Sequence, residues 1–239
     1  MNSDFAPRLD LEMSEFVRGL QQRQKLVVKE VLDDLAAGAV RFLPSAQHAG
    51  ITLAVRGRIS TETCTGPFPA VLDEIQAECG AGPCLSAAKN DDVVRVDDIA
   101  NDPRWPTYSR AVVERTPIRS VLSMALVSDS PGVSALNIYA EKPSAFDVGI
   151  TEVALSYAAY TAMAWTPVRR DHQFHQALQS RDIIGQAKGM IMERFRIDAA
   201  QAFELLKRLS QSSNTPLFTV AAELVEAERL EFTDTERQP

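Results

Sequence analysis

Of the 239 residues only three are cysteine and three histidine. Cys64, Cys79 and Cys84 are not paired at metal-ligand spacing. His172 and His175 share a helix face with no third ligand beside them, so no metal site is expected. There is no glycine-rich phosphate loop, no internal repeat and no low-complexity tract, so the signatures of P-loop enzymes and of solenoids are missing. Long apolar runs are missing too. The longest, Val153 to Trp165, is too short to span a bilayer and contains Ser156, Tyr157 and Thr161. The opening MNSDFAPRLDLEM is acidic and lacks the apolar segment of a signal peptide. With unpaired cysteines, this leads us to expect a cytoplasmic protein. Basic residues are in deficit: the net charge is −7 and the pI about 5.1, which argues against nonspecific attraction to nucleic acid.

What is present is concentrated near the C-terminus, in SRDIIGQAKGMIMERFRIDAAQAFELLKRLSQSSNTPLFTVAAELV from Ser180 to Val225. The spacing predicts three short helices. In the first, Ala177, Ile184 and Ile191 recur every seven residues with Ala187 between them. Arg181 and Lys188 lie on a different face. Gly185 and Gly189 share a face, and each costs a helix interior about 1 kcal/mol relative to alanine. Two such costs imply close approach to the backbone, by a packed helix or by a nucleic-acid backbone. In the second helix Asp198 and Gln201 have capping-box spacing. Ala202, Leu205, Leu206 and Leu209 form its stripe, with Lys207 and Arg208 opposite. Thr215 is the expected N-cap of the third helix, with Pro216 at its first position. Leu217, Val220, Ala221, Leu224 and Val225 follow the amphipathic template. Charge is uneven: Arg169 to Gln211 holds eight basic and five acidic residues, and Ser212 to the end two against six.

The strings QAKGMIMERF, DAAQAFELLKRLSQ and NTPLFTVAAELV resemble the ANTAR domain over about a fifth of the chain. The match centres on Ala187-Lys188-Gly189 and Met192, with Ala202-Phe203, Leu206, Lys207-Arg208 and Val220-Ala221 in support. The resemblance implies an RNA-binding antiterminator module that takes paired stem-loops of nascent mRNA and keeps a terminator hairpin from forming. One departure is Phe218-Thr219, where such modules usually place charged or polar residues. Arg181, Gly185, Ala187, Lys188, Gly189, Lys207 and Arg208 are the candidate RNA-binding residues. The cations would meet phosphates or bases, and the small residues would allow close approach.

The N-terminal two-thirds reads as α+β. A helical region is expected over Leu9 to Leu43, with Leu26, Val27, Glu30, Val31, Asp34 and Leu35 as its stripe. Strands are predicted at Ile51 to Arg58, Thr61 to Cys64, and from Val93, Arg119 and Val133. The turn cluster Asp129 to Gly132 makes the last two a hairpin. Helices are expected at Ala70 to Gln76, Cys84 to Lys89 and Arg104 to Thr116. Another starts near Asp147 and runs to Trp165, where Thr166-Pro167 is expected to interrupt it.

GAGPCLSA from Gly80, VDDIANDPRWP from Val96, RSVLSMALV and ALNIYAEKPSAF resemble a GAF domain over about half the chain. This implies an antiparallel sheet flanked by helices and a sensory role, in the order seen in actinobacterial GAF–ANTAR regulators. The cyclic-nucleotide signature of some GAF domains is not reproduced, since Asn137 is followed by Ile138 and Phe146 by Asp147. Cys84, Trp105, Tyr108 and Asn137 are the candidate ligand-pocket residues, with Trp105 and Tyr108 equally readable as core aromatics. Cys79 and Cys84, with four residues between them, are either a thiol sensor or buried small residues at a turn.

The expected organisation is a GAF domain with its N-terminal helical region over 1–166, a helical connector over 167–179, and an RNA-binding domain with an acidic tail over 180–239. The expected function is a signal-responsive, non-enzymatic antiterminator acting as a homodimer on RNA stem-loops, away from membranes. Its cofactor is unspecified and its signal is a small molecule or redox change. Two alternatives stand beside it. One is a GAF-type thiol sensor or reductase acting through Cys84 or Cys79. The other is a DNA-binding helix-turn-helix, disfavoured because the helix from Thr215 has few base-reading residues.

Overall fold

A computed structural model describes residues 5–21, 28–55, 58–90, 93–129 and 132–235. The chain divides into two compact units, residues 1–169 and 170–239.

The first unit begins with helices α1 (Phe5–Gln21) and α2 (Val28–Phe42). Leu26 and Val27 of the predicted stripe lie outside the described residues, but Val31, Leu32, Leu35, Ala36 and Ala39 continue it and are buried. Strands β1 (His48–Val55) and β2 (Arg58–Cys64) follow, then α3 (Phe68–Cys79), α4 (Pro83–Asn90) and β3 (Val93–Val96). A 3-10 turn at Ile99–Asn101 leads to α5 (Pro106–Arg115), β4 (Ser120–Asp129) and β5 (Gly132–Ala140). Ser130 and Pro131 of the predicted turn are outside the described residues, yet Asp129 pairs with Gly132, so β4 and β5 form the expected hairpin. The strands make one antiparallel sheet in the order β2-β1-β5-β4-β3.

Both faces of this sheet are covered, because alternate side chains point to opposite faces. Ile51, Leu122, Met124, Leu136 and Ile138 face α1, α2 and the start of α6 (Val148–Phe195), where they pack with Leu35, Ala39, Tyr157 and Trp165. Val121 and Tyr139 face the other way, toward Leu72 and Ile75 of α3, Ala87 of α4 and Tyr108 and Val112 of α5. The chain turns out of α3 at Gly80, whose φ of 63° suits glycine.

Helix α6 does not break at Thr166-Pro167 as the sequence suggested; it is continuous over 48 residues with Pro167 inside it. An interior proline disfavours a helix by about 3 kcal/mol. Burial on either side outweighs this. Ala164, Trp165, Val168 and Arg169 are all buried, and Arg169 Nη1 donates to Ser134 Oγ at 3.0 Å. Four anchored side chains around the proline hold the backbone in register.

The second unit comprises the C-terminal part of α6, α7 (Ala199–Ser213) and α8 (Leu217–Thr235). Its core is Ala187, Ile191, Ala202, Leu206 and Ala221, with Ile184, Leu205, Leu217, Val220, Leu224 and Val225 packed around them. The capping box forms as predicted: Asp198 accepts from Ala200 N and Gln201 N, while Gln201 Oε1 accepts from Asp198 N. Three details differ from expectation. Ala177 is exposed, so the buried stripe starts at Ile183 and Ile184. Leu209 stays 42% exposed. Thr215 is not a side-chain cap for α8; its hydroxyl donates to Ser213 O at 3.2 Å, and Asn214, at φ 50°, makes the turn.

Candidate functional site

The first candidate site is on the helical unit. On α6, Arg181, Gly185, Lys188 and Gly189 stand at i, i+4, i+7 and i+8 and so share one face. Arg181 and both glycines are exposed, and Lys188 is half-buried. A Cβ built on Gly185 or Gly189 would meet nothing within 4 Å. Close packing by another helix therefore does not explain the glycines among the described residues. They open a bare strip of backbone beside two cations. Ala187 departs from the expected arrangement: it is wholly buried in the bundle core and faces away from this strip.

On α7, Lys207 and Arg208 are exposed, opposite buried Ala202 and Leu206. Lys207 Nζ lies 3.4 Å from Glu204, an i,i+3 pair. Arg208 lines a shallow hollow with Ile197, Ala200, Gln201, Glu204 and Leu205. Among the described residues Arg181, Lys188 and Arg208 make no ion pair, so their charge is unspent within the unit. A separate apolar hollow of about 320 Å³ is lined by Met190, Ile191, Arg194, Phe195, Leu205, Leu209 and Leu224.

The second candidate site is inside the first unit, under α3. The sheet face toward α3, α4 and α5 is mostly apolar, yet a polar row crosses it. Thr61 of β2 pairs with Thr52 of β1, Asn137 of β5 with Ser123 of β4. Asn137 Nδ2 donates to Thr52 Oγ1 at 2.9 Å and joins the two halves. Above the row, Asp73 of α3 accepts from Thr52 at 2.8 Å and from Thr61 at 2.7 Å, both at Oδ2. Its Oδ1 has only a long bond, 3.4 Å, from Gln76 Nε2. Gln76 Oε1 accepts from Cys84 N at 2.9 Å, tying the start of α4 to the same cluster.

Asp73 is 3% exposed and makes no ion pair among the described residues. Burial pushes its carboxyl up to about 6, against the lowering effect of the two threonine hydroxyls. Burial, then the nearby Asp73 charge, pushes the Cys84 thiol up to about 12. Burial followed by Asp73 also raises the Tyr108 hydroxyl well above its ordinary range. Among the described residues, four polar atoms on this side are buried without a partner: Asn137 Oδ1, Ser123 Oγ, Tyr108 OH and, further along α5, Ser109 Oγ.

The structure thus brings three of the four predicted pocket residues, Cys84, Tyr108 and Asn137, to one side of the sheet. The fourth, Trp105, is half-buried at the start of α5 and packs against the apolar cluster on that side, with the Arg104 guanidinium 4.5 Å from its ring centre. Sequence reasoning missed Asp73, Thr52, Thr61 and Gln76. The available signal was phase: Asp73 and Gln76 sit at the helical spacing of Pro69 and Leu72, so a charge and an amide occupy core positions of α3. Among the described residues, no three His, Cys, Asp or Glu side chains gather as a metal site, and no helix is long and apolar enough to cross a membrane.

Comparison with known proteins follows this division. The model of the GAF domain matches residues 26–166, and that of the ANTAR domain matches residues 172–225. No curated protein matches. Among solved structures, the chain is similar to the free methionine-R-sulfoxide reductase of Neisseria meningitidis in complex with its substrate. That likeness is 17% identical and covers 72% of this chain and 96% of that one, with a TM-score of 0.53. It is also similar to the GAF domains of phosphoenolpyruvate-protein phosphotransferases from Coxiella burnetii and Acinetobacter. The first is 14% identical over 69% of this chain and 98% of that one, with a TM-score of 0.51. The second is 10% identical over 72% and 99%, with a TM-score of 0.52. At these identities the likeness shows the fold.

Proposed function

This chain belongs to the GAF domain family and carries an ANTAR domain behind its sensor, and from that we infer that it is a transcription antiterminator switched by a small-molecule or redox signal. The GAF domain with its N-terminal helices, 1–166, receives the signal. Residues 167–179 connect it to the effector, 180–239. The effector binds paired RNA stem-loops of a nascent transcript and keeps the terminator hairpin from closing. A paired target calls for two bundles, so the acting species is a homodimer, working in the cytoplasm.

The observation that carries this reading is the α6 face of Arg181, Gly185, Lys188 and Gly189. Two glycines in mid-helix with open space above them are costly for an isolated bundle, and they fit a partner that must touch backbone. Flanking cations suit phosphate, and helical backbone beside splayed loop bases suits RNA recognition. Lys207 and Arg208 extend the positive charge onto α7.

A reductase acting through a cysteine, the alternative the sequence left open, needs a thiolate. Here burial holds Cys84 protonated at neutral pH, which favours the regulatory reading. The test is a mobility shift of the full chain with an RNA of two adjacent stem-loops, a single stem-loop and a DNA duplex. We expect the paired stem-loops to be bound and the duplex ignored. Equal binding to the duplex would overturn the reading.

A further inference from the structure

The cluster beneath α3 has an unbalanced inventory. Asp73 is a buried carboxylate with no basic side chain bonded to it among the described residues. Its Oδ2 takes two threonine hydroxyls, while Oδ1 takes one long bond from a neutral amide. Asn137 is fully buried. Its Nδ2 is committed to Thr52, so its Oδ1 is the end left over, and it is unpaired. Thr52 Oγ1 touches both Asp73 Oδ2 and Asn137 Nδ2, so the two open acceptors lie on neighbouring groups of one chain of hydrogen bonds. Tyr108 OH and Ser123 Oγ, also buried and unpaired, lie on the same side of the sheet. Buried polar groups are nearly always satisfied, and a buried charge needs an opposite charge.

What would complete this set is a group that donates several hydrogen bonds and carries one positive charge. We propose that the GAF unit binds a small primary amine in its ammonium form, with N–H groups directed at Asp73 Oδ1 and Asn137 Oδ1, the two open acceptors of the cluster. The proposal rests on the sensor reading above and supplies its ligand class. A carboxylate or phosphate would set like charge against Asp73 and offer acceptors to acceptors. A neutral alcohol would leave the carboxylate uncompensated. A divalent cation lacks further acidic ligands among the described residues. The incoming ammonium replaces the weak 3.4 Å donor of Gln76. Because Gln76 also holds Cys84 N and Leu85 N, that replacement loosens its hold on the start of α4.

The test is thermal unfolding of the full chain at pH 7.5 with n-propylammonium chloride, 1-propanol, sodium propionate and potassium chloride at matched concentrations. The wild type should gain about 2 °C or more with the amine, rising with its concentration, as ligand binding to the native state requires. The other three should give no gain. Asp73→Asn should abolish the gain. Asn137→Ser, which removes Oδ1 and keeps a hydroxyl, should reduce it, and this variant serves where Asp73→Asn folds poorly. No amine effect on the wild type, an equal effect on both variants, or an equal effect of potassium would overturn the proposal. A propionate or propanol response that needs Asn137 would overturn the amine class and leave small-molecule sensing standing. Failure of the antiterminator reading shows separately, as a wild type that ignores paired stem-loops.

Discussion

Thr61 and Thr63 lie two positions apart on β2, yet they hydrogen-bond on opposite sides of the sheet. Thr61 reaches Asp73 on α3, and Thr63 reaches Asp33 on α2. In a regular strand both would face one side. The register explains the difference: Ile51 pairs with Thr63 but the next residue, Thr52, pairs with Thr61, so Glu62 is the extra residue of a β-bulge. The bulge aims one hydroxyl at buried Asp73 and the other at exposed Asp33. Deleting Glu62 restores the alternation and takes one threonine from its partner. We expect a loss of about 1–3 kcal/mol in stability, measured by urea unfolding, with Thr61→Val giving part of the same loss.

Asp73 makes the first unit gain stability toward mild acid. Its carboxyl sits at about 6 in the folded protein against 3.8 unfolded, so the folded state holds the extra proton between those values. The stabilising contribution is full below about pH 4 and is lost as pH rises through about 6. Roughly two units at about 1.4 kcal/mol each give about 3 kcal/mol. Asp33, Asp98 and Asp102, whose carboxyls are held below the ordinary value, work the opposite way, and their contribution fades as pH falls below about 4. The difference between wild type and Asp73→Asn isolates the first effect. A difference that is flat from pH 4 to 7 would contradict it.

Lys188→Ala should remove binding to paired stem-loops while changing stability by only about 0.5 kcal/mol, since the side chain lies off the buried stripe. Lys207→Ala and Arg208→Ala should each weaken binding and flatten its salt dependence, because each lost phosphate contact releases fewer counterions. An unchanged salt slope for Arg208→Ala, which has no ion pair to lose among the described residues, would move it off the interface.

Gly185→Ala and Gly189→Ala should stabilise the bundle and harm its function. A methyl at either position meets no neighbour within 4 Å, so each change should add up to about 1 kcal/mol of helix stability. RNA affinity should fall in the same proteins. Stability and affinity rising together would show that nothing approaches this strip.

Serine at Cys79 and Cys84 should leave RNA binding intact under reducing conditions. Cys84 is 1% exposed, so burying its new hydroxyl should cost about 1–3 kcal/mol. Cys79, half-buried, should cost less. Peroxide-dependent RNA binding that vanishes in the double variant would make the protein a redox sensor.

Much of the fold was legible because its signals are local. The strands alternate, the capping box of Asp198 and Gln201 has fixed spacing, and the hairpin turn has its own composition. Pro167 misled because its local preference is opposed by the burial of Ala164, Trp165, Val168 and Arg169, which is a tertiary effect. Ala177 and Leu209 had the right phase for the bundle but no partner to cover them. The amine cluster was hidden for a different reason. Thr52, Thr61, Asp73 and Asn137 are distant in sequence, and the bulge that aligns Thr61 has no composition of its own. On α6 the glycine and lysine positions were readable from spacing, and so was the inward direction of Ala187, which shares the stripe of Ile184 and Ile191.

Three alanines, Ala187, Ala202 and Ala221, one from each helix, sit fully buried in the core of the bundle. An interior filled by so small a side chain resists enlargement, because any added carbon must push helices apart. The exterior positions Arg181, Gly185, Phe203 and Phe218 are under no such restraint. Heritable change in such a module is therefore partitioned: packing freezes the axis, and the rim answers only to what it touches. A new surface chemistry can arise by rewriting the rim alone, so descendants that differ there can keep one and the same bundle.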